Sequence, residues 1–343
     1  FGMSIYLLFE LILNLFHENY INICIYIILN FLFIIYMSKA SAILNSIESI
    51  TSFMYYMSLI IVFITAFNFI KEPVFVLNRN IIFNVLLNEG RERYSFGYQH
   101  ANYLGSLCFI FFINLSFILI NNYKNIQGKM VLTISSVFML YIILLSGSRT
   151  AVYAYIVFII VYCLLKIRDI HYGRYLLIAI FIGAFVVVYI NSSKINIYYM
   201  LNSTNRFGPL LYNLNAFINL DTAYTGIGFY NHMNLYNLDI FRNIDNYFVY
   251  VLITQGYIGL AVTIVIIIMF FISISRIVEK NIKYFMYAFF VAFIVYSFFE
   301  TYFFVPGAFM SYYFWTIGYS MVNVQSNGID CITDKVIPAE EEL

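Results

Sequence analysis

The chain has 343 residues, of which 63% are hydrophobic and only 10% charged, with a mean hydropathy of +0.85. Soluble domains carry about 25% charged residues, and no soluble core hides this much apolar surface, so the composition excludes a soluble globular domain and points to a polytopic membrane protein. A net charge of +1 excludes a bulk electrostatic role such as nucleic-acid binding.

The sequence opens at Phe1 directly in an apolar run, without the basic segment of a cleavable signal peptide, and leaves room for a missing N-terminal piece. Apolar runs of spanning length, about 17–25 residues, are read in chain order at 3–16, 20–37, 51–70, 103–120, 130–146, 150–166, 175–190, 247–274, 284–302 and 307–323. The predicted fold is therefore all-α: a single integral membrane domain over 1–343 with about ten transmembrane helices. Pro306-Gly307 separates the last two runs as a tight turn would. Two long loops, 71–102 and 191–246, and a tail, 324–343, complete the chain. Cys24, Cys108, Cys163 and Cys331 form no CxxC pair and read as small buried hydrophobes.

Lysine and arginine in the connections divide into two sets. One holds Lys39, Lys124, Lys129, Lys166, Arg168, Arg174, Arg276, Lys280, Lys283 and Lys335. The other holds Lys71, Arg79, Arg91, Arg93, Arg149, Lys194, Arg206 and Arg242. The second set sits mainly in the two long loops, which the positive-inside rule discounts, so the first set is expected to be cytoplasmic. The tail is then inside and both long loops face outward. Lysine dominates the inner set and arginine the outer one, and arginine's planar fork suits bidentate binding of phosphate or carboxylate.

Arg149, in LLSGSRTAVYAY, is the only charged residue between Met130 and Leu165. At a helix centre it would cost about 2.5–3.5 kcal/mol. The topology moves it toward the outer surface, where an anion would give it a partner.

The first outer loop ends in EGRERYSFGYQHANYLG, which places Arg91, Arg93, His100 and Asn102 just before a span. Gly97 and Gly105 would permit close backbone approach there. In the larger loop, GPLLYNLNAFINL has Leu210, Leu211, Leu214, Phe217 and Ile218 at helical spacing, with Asn213, Asn215 and Asn219 largely elsewhere on the wheel. An amphipathic helix at about 209–219 is predicted, on the membrane surface or against the bundle. Arg206 precedes it, so an anion there would meet a guanidinium and free helix N–H groups. TGIGFYNHMN with His232 follows, then Asp245, Asn246 and Tyr247 at the re-entry to the membrane. Glu300, in SFFETYFF, is a costly charge near the outer end of a span; it could pair an arginine or orient a substrate. The sequence has no GxxxxGK[ST], HExxH or DxD, so it carries no sign of nucleotide hydrolysis, zinc protease chemistry or a metal-bound nucleotide-sugar site. No metal and no cofactor are expected.

The ordered series RYSFGYQHANYLG, LLSGSRTA, NRFGP, TGIGF and IDNYFVYVLITQGYIGL resembles the polysaccharide repeat-unit polymerase family (Wzy), within the superfamily that includes the O-antigen ligases. The resemblance covers roughly residues 90–265. Ala101 stands where the family usually has proline, Asn205 where it often has glycine, and Asp245-Asn246 occupies its H-N/D-N position. The resemblance implies a metal-independent, C-type membrane glycosyltransferase of the bacterial inner membrane. Its donor would be a growing glycan on undecaprenyl diphosphate, and its acceptor a single repeat unit on the same carrier. A flippase and a chain-length regulator are the partners it implies, beside membrane lipids.

That reaction needs a cationic clamp for the diphosphate and one base for the acceptor hydroxyl. Arg149, with Arg206, Arg91 and Arg93, is the candidate clamp. Asp245 is the first candidate base, because ligases of the superfamily place a histidine there. A free aspartate is a weak base unless desolvated, so His232 and His100 stay open. Asn102, Asn246, Tyr247 and Glu300 are candidates for substrate positioning. Two alternatives remain: a ligase moving finished glycan to another acceptor, and a lipid-linked oligosaccharide flippase. A flippase would be expected to show internal repeats and a charged central path, whereas no repeat is evident and the notable charges fall on one face.

Overall fold

The computed structural model describes residues 20–71, 73, 93–98, 100–121, 126–169, 207–228, 241, 244–305 and 308–333. Among them the chain is all helical, with α1 (Tyr20–Ile43), α2 (Ile47–Lys71), α3 (Ala101–Ile120), α4 (Ile126–Ser146), α5 (Arg149–Arg168), α6 (Phe207–Ile218), α7 (Tyr247–Ser275), α8 (Lys280–Ser297) and α9 (Phe309–Thr333). By length and composition α2, α3, α5 and α7 can cross a membrane. This is the architecture of a helical membrane protein, in which each helix satisfies its own backbone. The predicted runs 3–16 and 175–190 lie outside the described residues. α9 continues through Thr333, into the segment read as tail.

α3 is the central post. Its most apolar stretch is 78% buried, against 22% for those of α2, α5 and α7. A helix apolar on every side belongs inside a bundle, and α2, α4, α5, α8 and α9 all touch this one. α3 and α5 run parallel: Gly105 faces Ser148, and further along the hydroxyls of Ser116 and Tyr155 lie 3.0 Å apart. α8 runs antiparallel to both, since Phe285 meets Phe117 and Phe158 while Tyr296 meets Phe109. Asn114, fully buried in the post, accepts a hydrogen bond from Tyr313 of α9. Phe63, Ile134, Val137, Ile160 and Ile268 are exposed on the outer helices, as an apolar solvent requires. Cys163 belongs to this exposed surface of α5, which corrects its reading as a buried hydrophobe; Cys108 is buried.

The predicted span 247–274 is not one continuous helix. Gly256 adopts φ 68° and ψ −165°, and α7 breaks there. Segment 221–228 fills the break. Ile227 and Gly228 donate their N–H groups to the carbonyls of Ile253 and Thr254, both at 3.0 Å. Beyond the break, Tyr257 and Ile258 donate to Ala223 at 3.1 Å and Tyr224 at 3.3 Å. Unsatisfied, each of these groups would cost roughly 2–7 kcal/mol in an apolar surrounding. A Cβ on Gly256 would stand 2.3 Å from the Tyr224 carbonyl oxygen, and one on Gly226 2.4 Å from the Thr254 carbonyl carbon. Only glycine lets the two backbones meet.

α6 takes the place of the predicted amphipathic helix and lies against α7, with Phe217 edge-on to Tyr257 at 5.3 Å. Its facing differs from expectation. Asn213 and Phe217, one turn apart, are buried, whereas Leu211 and Ile218 are exposed. The seat beside α7 selects the Asn213 face, and the outward leucine and isoleucine suit the lipid interface.

α8 ends at Ser297, so residues 298–302, read as part of a span, lie beyond it. The connection turns inward instead of outward. Phe303 is fully buried, and its carbonyl accepts from Trp315 Nε1 at 2.7 Å and Ser311 Oγ at 3.1 Å. Irregular backbone is tolerated at such depth where side chains satisfy it. The turn residues Pro306 and Gly307 lie outside the described residues.

Candidate functional site

Four segments far apart in sequence meet at the end of the bundle where α3 and α5 begin. The first is the turn between α4 and α5. Gly147 takes φ 60° and closes it with an N–H bond to Leu144 at 3.1 Å. Ser148 is 1% exposed, and its hydroxyl has no hydrogen-bond partner among the described residues. A Cβ on Gly105 would stand 2.2 Å from that hydroxyl oxygen, so Gly105 lets α3 close on this turn, as anticipated. Arg149 is the first residue of α5, half-buried, with no acidic residue in the first helical turn. The guanidinium and the helix N-terminus thus add positive potential in one place, where an acidic residue would ordinarily stand.

The second segment is 93–102. Tyr94 donates its N–H to Leu145 O at 3.2 Å, and Arg93 Nε donates to Ser146 O at 3.4 Å, which fastens this segment to the α4–α5 turn. Arg93 Nη2 donates to Asn102 Oδ1. Phe96 and Gly97, at φ 46° and 76°, make the bend between. Nothing lies within 4 Å of where a Gly97 Cβ would be, so this glycine serves the positive φ rather than a close approach. His100 caps α3, its Nδ1 accepting from the Asn102 N–H at 3.1 Å. In that arrangement the neutral ring carries its proton on Nε2 and presents a donor, which weighs against His100 as a base.

The third segment is 298–305. Glu300 is 7% exposed, and its Oε1 accepts from Asn102 Nδ2 at 2.5 Å. Asn102, 8% exposed, therefore joins Arg93 to Glu300 through the two ends of its amide. Burial pushes the Tyr302 phenol well above its ordinary range, and Glu300, Tyr103 and Asp245 nearby push the same way. Tyr302 stays a hydrogen-bond donor at any physiological pH.

The fourth segment is the start of α7. Asn246 is its N-cap, with Oδ1 accepting from the Val249 N–H at 3.0 Å and Nδ2 donating to Phe298 O at 2.9 Å. Both ends of this amide hold structure, so Asn246 ties α7 to the end of α8. Tyr247 is 1% exposed and packs on Phe303 at 5.5 Å as part of the core. Asp245 stands beside the cap, half-buried.

The described residues thus bring Arg93, His100, Asn102, Arg149, Asp245, Asn246, Tyr247 and Glu300 to one end. Arg91, Arg206 and His232 lie outside the described residues. Sequence reasoning passed over Ser148 and Tyr302; an acid flanked by aromatics, ETYFF, was the available signal for the latter. Among the described residues no three His, Cys, Asp or Glu side chains gather as a metal site.

The opposite end has another character. There Asp169, at the C-terminus of α5, accepts from Tyr284 at 2.5 Å and lies 3.7 Å from Lys280, while Lys166 donates to Asn281 at 2.8 Å. These lysines belong to the set assigned to the inner face. No protein-family model, curated protein or solved structure matches the chain.

Proposed function

We propose that the protein is a polysaccharide polymerase that joins undecaprenyl-diphosphate-linked repeat units on the outer face of a bacterial inner membrane. The observation that carries the reading is the meeting of RYSFGYQHAN, SGSRT and IDNYF, distant in sequence, at one end of the bundle, with TGIG hydrogen-bonded into the break of α7 further along the same helix. A glycosyl transfer from a diphosphate carrier needs these elements together at the membrane surface. It does not need a metal, because diphosphate already leaves readily and its developing charge can be met by guanidinium groups and helix N–H groups.

Arg149 and the start of α5 would hold the donor's diphosphate, with Arg206 and Arg91 as further arms of the clamp. Arg93 has two donors committed to Ser146 and Asn102, so it contributes charge more than a free fork. The acceptor hydroxyl attacks the anomeric carbon and undecaprenyl diphosphate leaves. The half-buried Asp245, His232 on the outer loop and, third, His100 are the sequence's candidates for the base. The exposed apolar surfaces of α2, α4 and α7 would face the lipid from which both substrates arrive.

The test is Arg149→Ala in membranes supplied with lipid-linked repeats. Loss of one such charge-stabilising group costs about 100- to 1,000-fold in turnover. Long polymer should disappear while single lipid-linked repeats accumulate. A normal chain-length distribution would reject the clamp.

A further inference from the structure

We infer that Glu300, rather than Asp245, takes the proton from the attacking sugar hydroxyl, and that Asn102 and Arg93 hold it in position. The inference rests on the polymerase reading.

Glu300 is the one buried carboxylate among the described residues. Burying a carboxylate is costly, and a chain whose loops are free to carry acids outside has placed this one inside. It sits on the connection between α8 and α9, at the same end as Arg149 and the start of α5. Asn102 Nδ2 fixes its Oε1, and Arg93 fixes Asn102 in turn while also gripping the carbonyl of Ser146, three residues before Arg149. This is the arrangement of a base oriented by a second group that is itself oriented by a third. A carboxylate has about four acceptor sites, so being oriented by Asn102 does not by itself prevent it from accepting a hydroxyl proton. Asn102 donates to it and Arg93 stands behind Asn102, while Tyr302, two residues along the same connection, feels its charge together with those of Tyr103 from α3 and Asp245 from the start of α7.

The step balances without a co-reactant. The acceptor oxygen bonds to the anomeric carbon as the bond from that carbon to the diphosphate oxygen breaks. The electron pair leaves with undecaprenyl diphosphate, and the hydroxyl proton passes to Glu300 and then to water. Arg149 faces the leaving group and Glu300 the entering one, so the two charges serve opposite ends of the reaction.

The experiment uses the full chain reconstituted with lipid-linked repeats. Glu300→Gln keeps a carbonyl oxygen for the Asn102 bond and removes the basicity. Turnover should fall by about 100-fold or more, with the melting temperature unchanged, and Glu300→Asp should recover part of it. E300Q polymerising at the wild-type rate overturns the assignment. A second measurement does not depend on that variant folding. Asn102→Ala removes a donor to the ionised carboxylate, which raises its pKa and moves the acid limb of the pH–rate profile to higher pH. A merely structural Asn102 would lower activity equally at every pH, and that result also counts against the proposal. Wild-type protein that never extends lipid-linked repeats removes the polymerase reading, and this one with it; active wild type beside active E300Q removes Glu300 alone.

Discussion

Asn246 shows how a residue's type can be read while its work cannot. An asparagine ahead of a long apolar run is a good N-cap from sequence alone. Its second bond, to Phe298 O, spans 52 positions and has no local signal. Asn246→Ala should lose both, at about 1–2 kcal/mol together. Asn246→Asp keeps the cap acceptor and loses only the donor, so it should fall between. Thermal unfolding in detergent ranks the three proteins, and an unchanged melting point for Asn246→Ala would return the residue to substrate positioning. Asn102 poses the converse case: its place before a span was legible, but its bridge from Arg93 to Glu300 was not.

At the scale of the element, α7 carries the largest departure from the sequence reading. Hydropathy averages over about 20 residues, and one glycine barely changes the mean of so apolar a run. The run nevertheless holds QGYIG, and the loop before it holds TGIG. Those glycines are what the break and its filling segment require. Gly256→Ala would demand a φ and ψ that alanine avoids, on the order of 1–3 kcal/mol, and would also press Cβ into the Tyr224 carbonyl. The expected outcome is a lower melting temperature together with release of segment 221–228, read as faster proteolytic cleavage between Asp221 and Gly228. Unaltered protection would mean that the loop is held by something other than the break.

Across the whole molecule, the two ends carry different kinds of charge. Arginine, asparagine and a buried glutamate occupy one; exposed lysines with Asp169 occupy the other. The hydrogen bond from Tyr284 holds the Asp169 carboxyl below its ordinary value, with Lys280 and Arg168 acting the same way. A carboxyl whose folded-state pKa is depressed adds stability above its unfolded value, and that stability is lost as pH falls through the folded value. Tyr284→Phe removes the leading cause. The variant should therefore lose less stability than wild type on acidification below about pH 4. Melting curves across that range check it, and parallel acid dependences would show that Tyr284 does not act on Asp169.

The sequence by itself determined the solvent and the class of fold, because hydropathy and the spacing of polar residues are local properties that each helix satisfies alone. Helices cover most of the described parts of the apolar runs, and α6 formed where the leucine spacing and Pro209 suggested. Only the tertiary structure decided which face of α6 is buried, where α7 breaks, and that α8 stops short of Glu300. It also joined Asn102 to Glu300 across 198 positions of chain. Such pairings depend on how parallel and antiparallel helices stack around α3, and no local pattern of residues encodes that stacking.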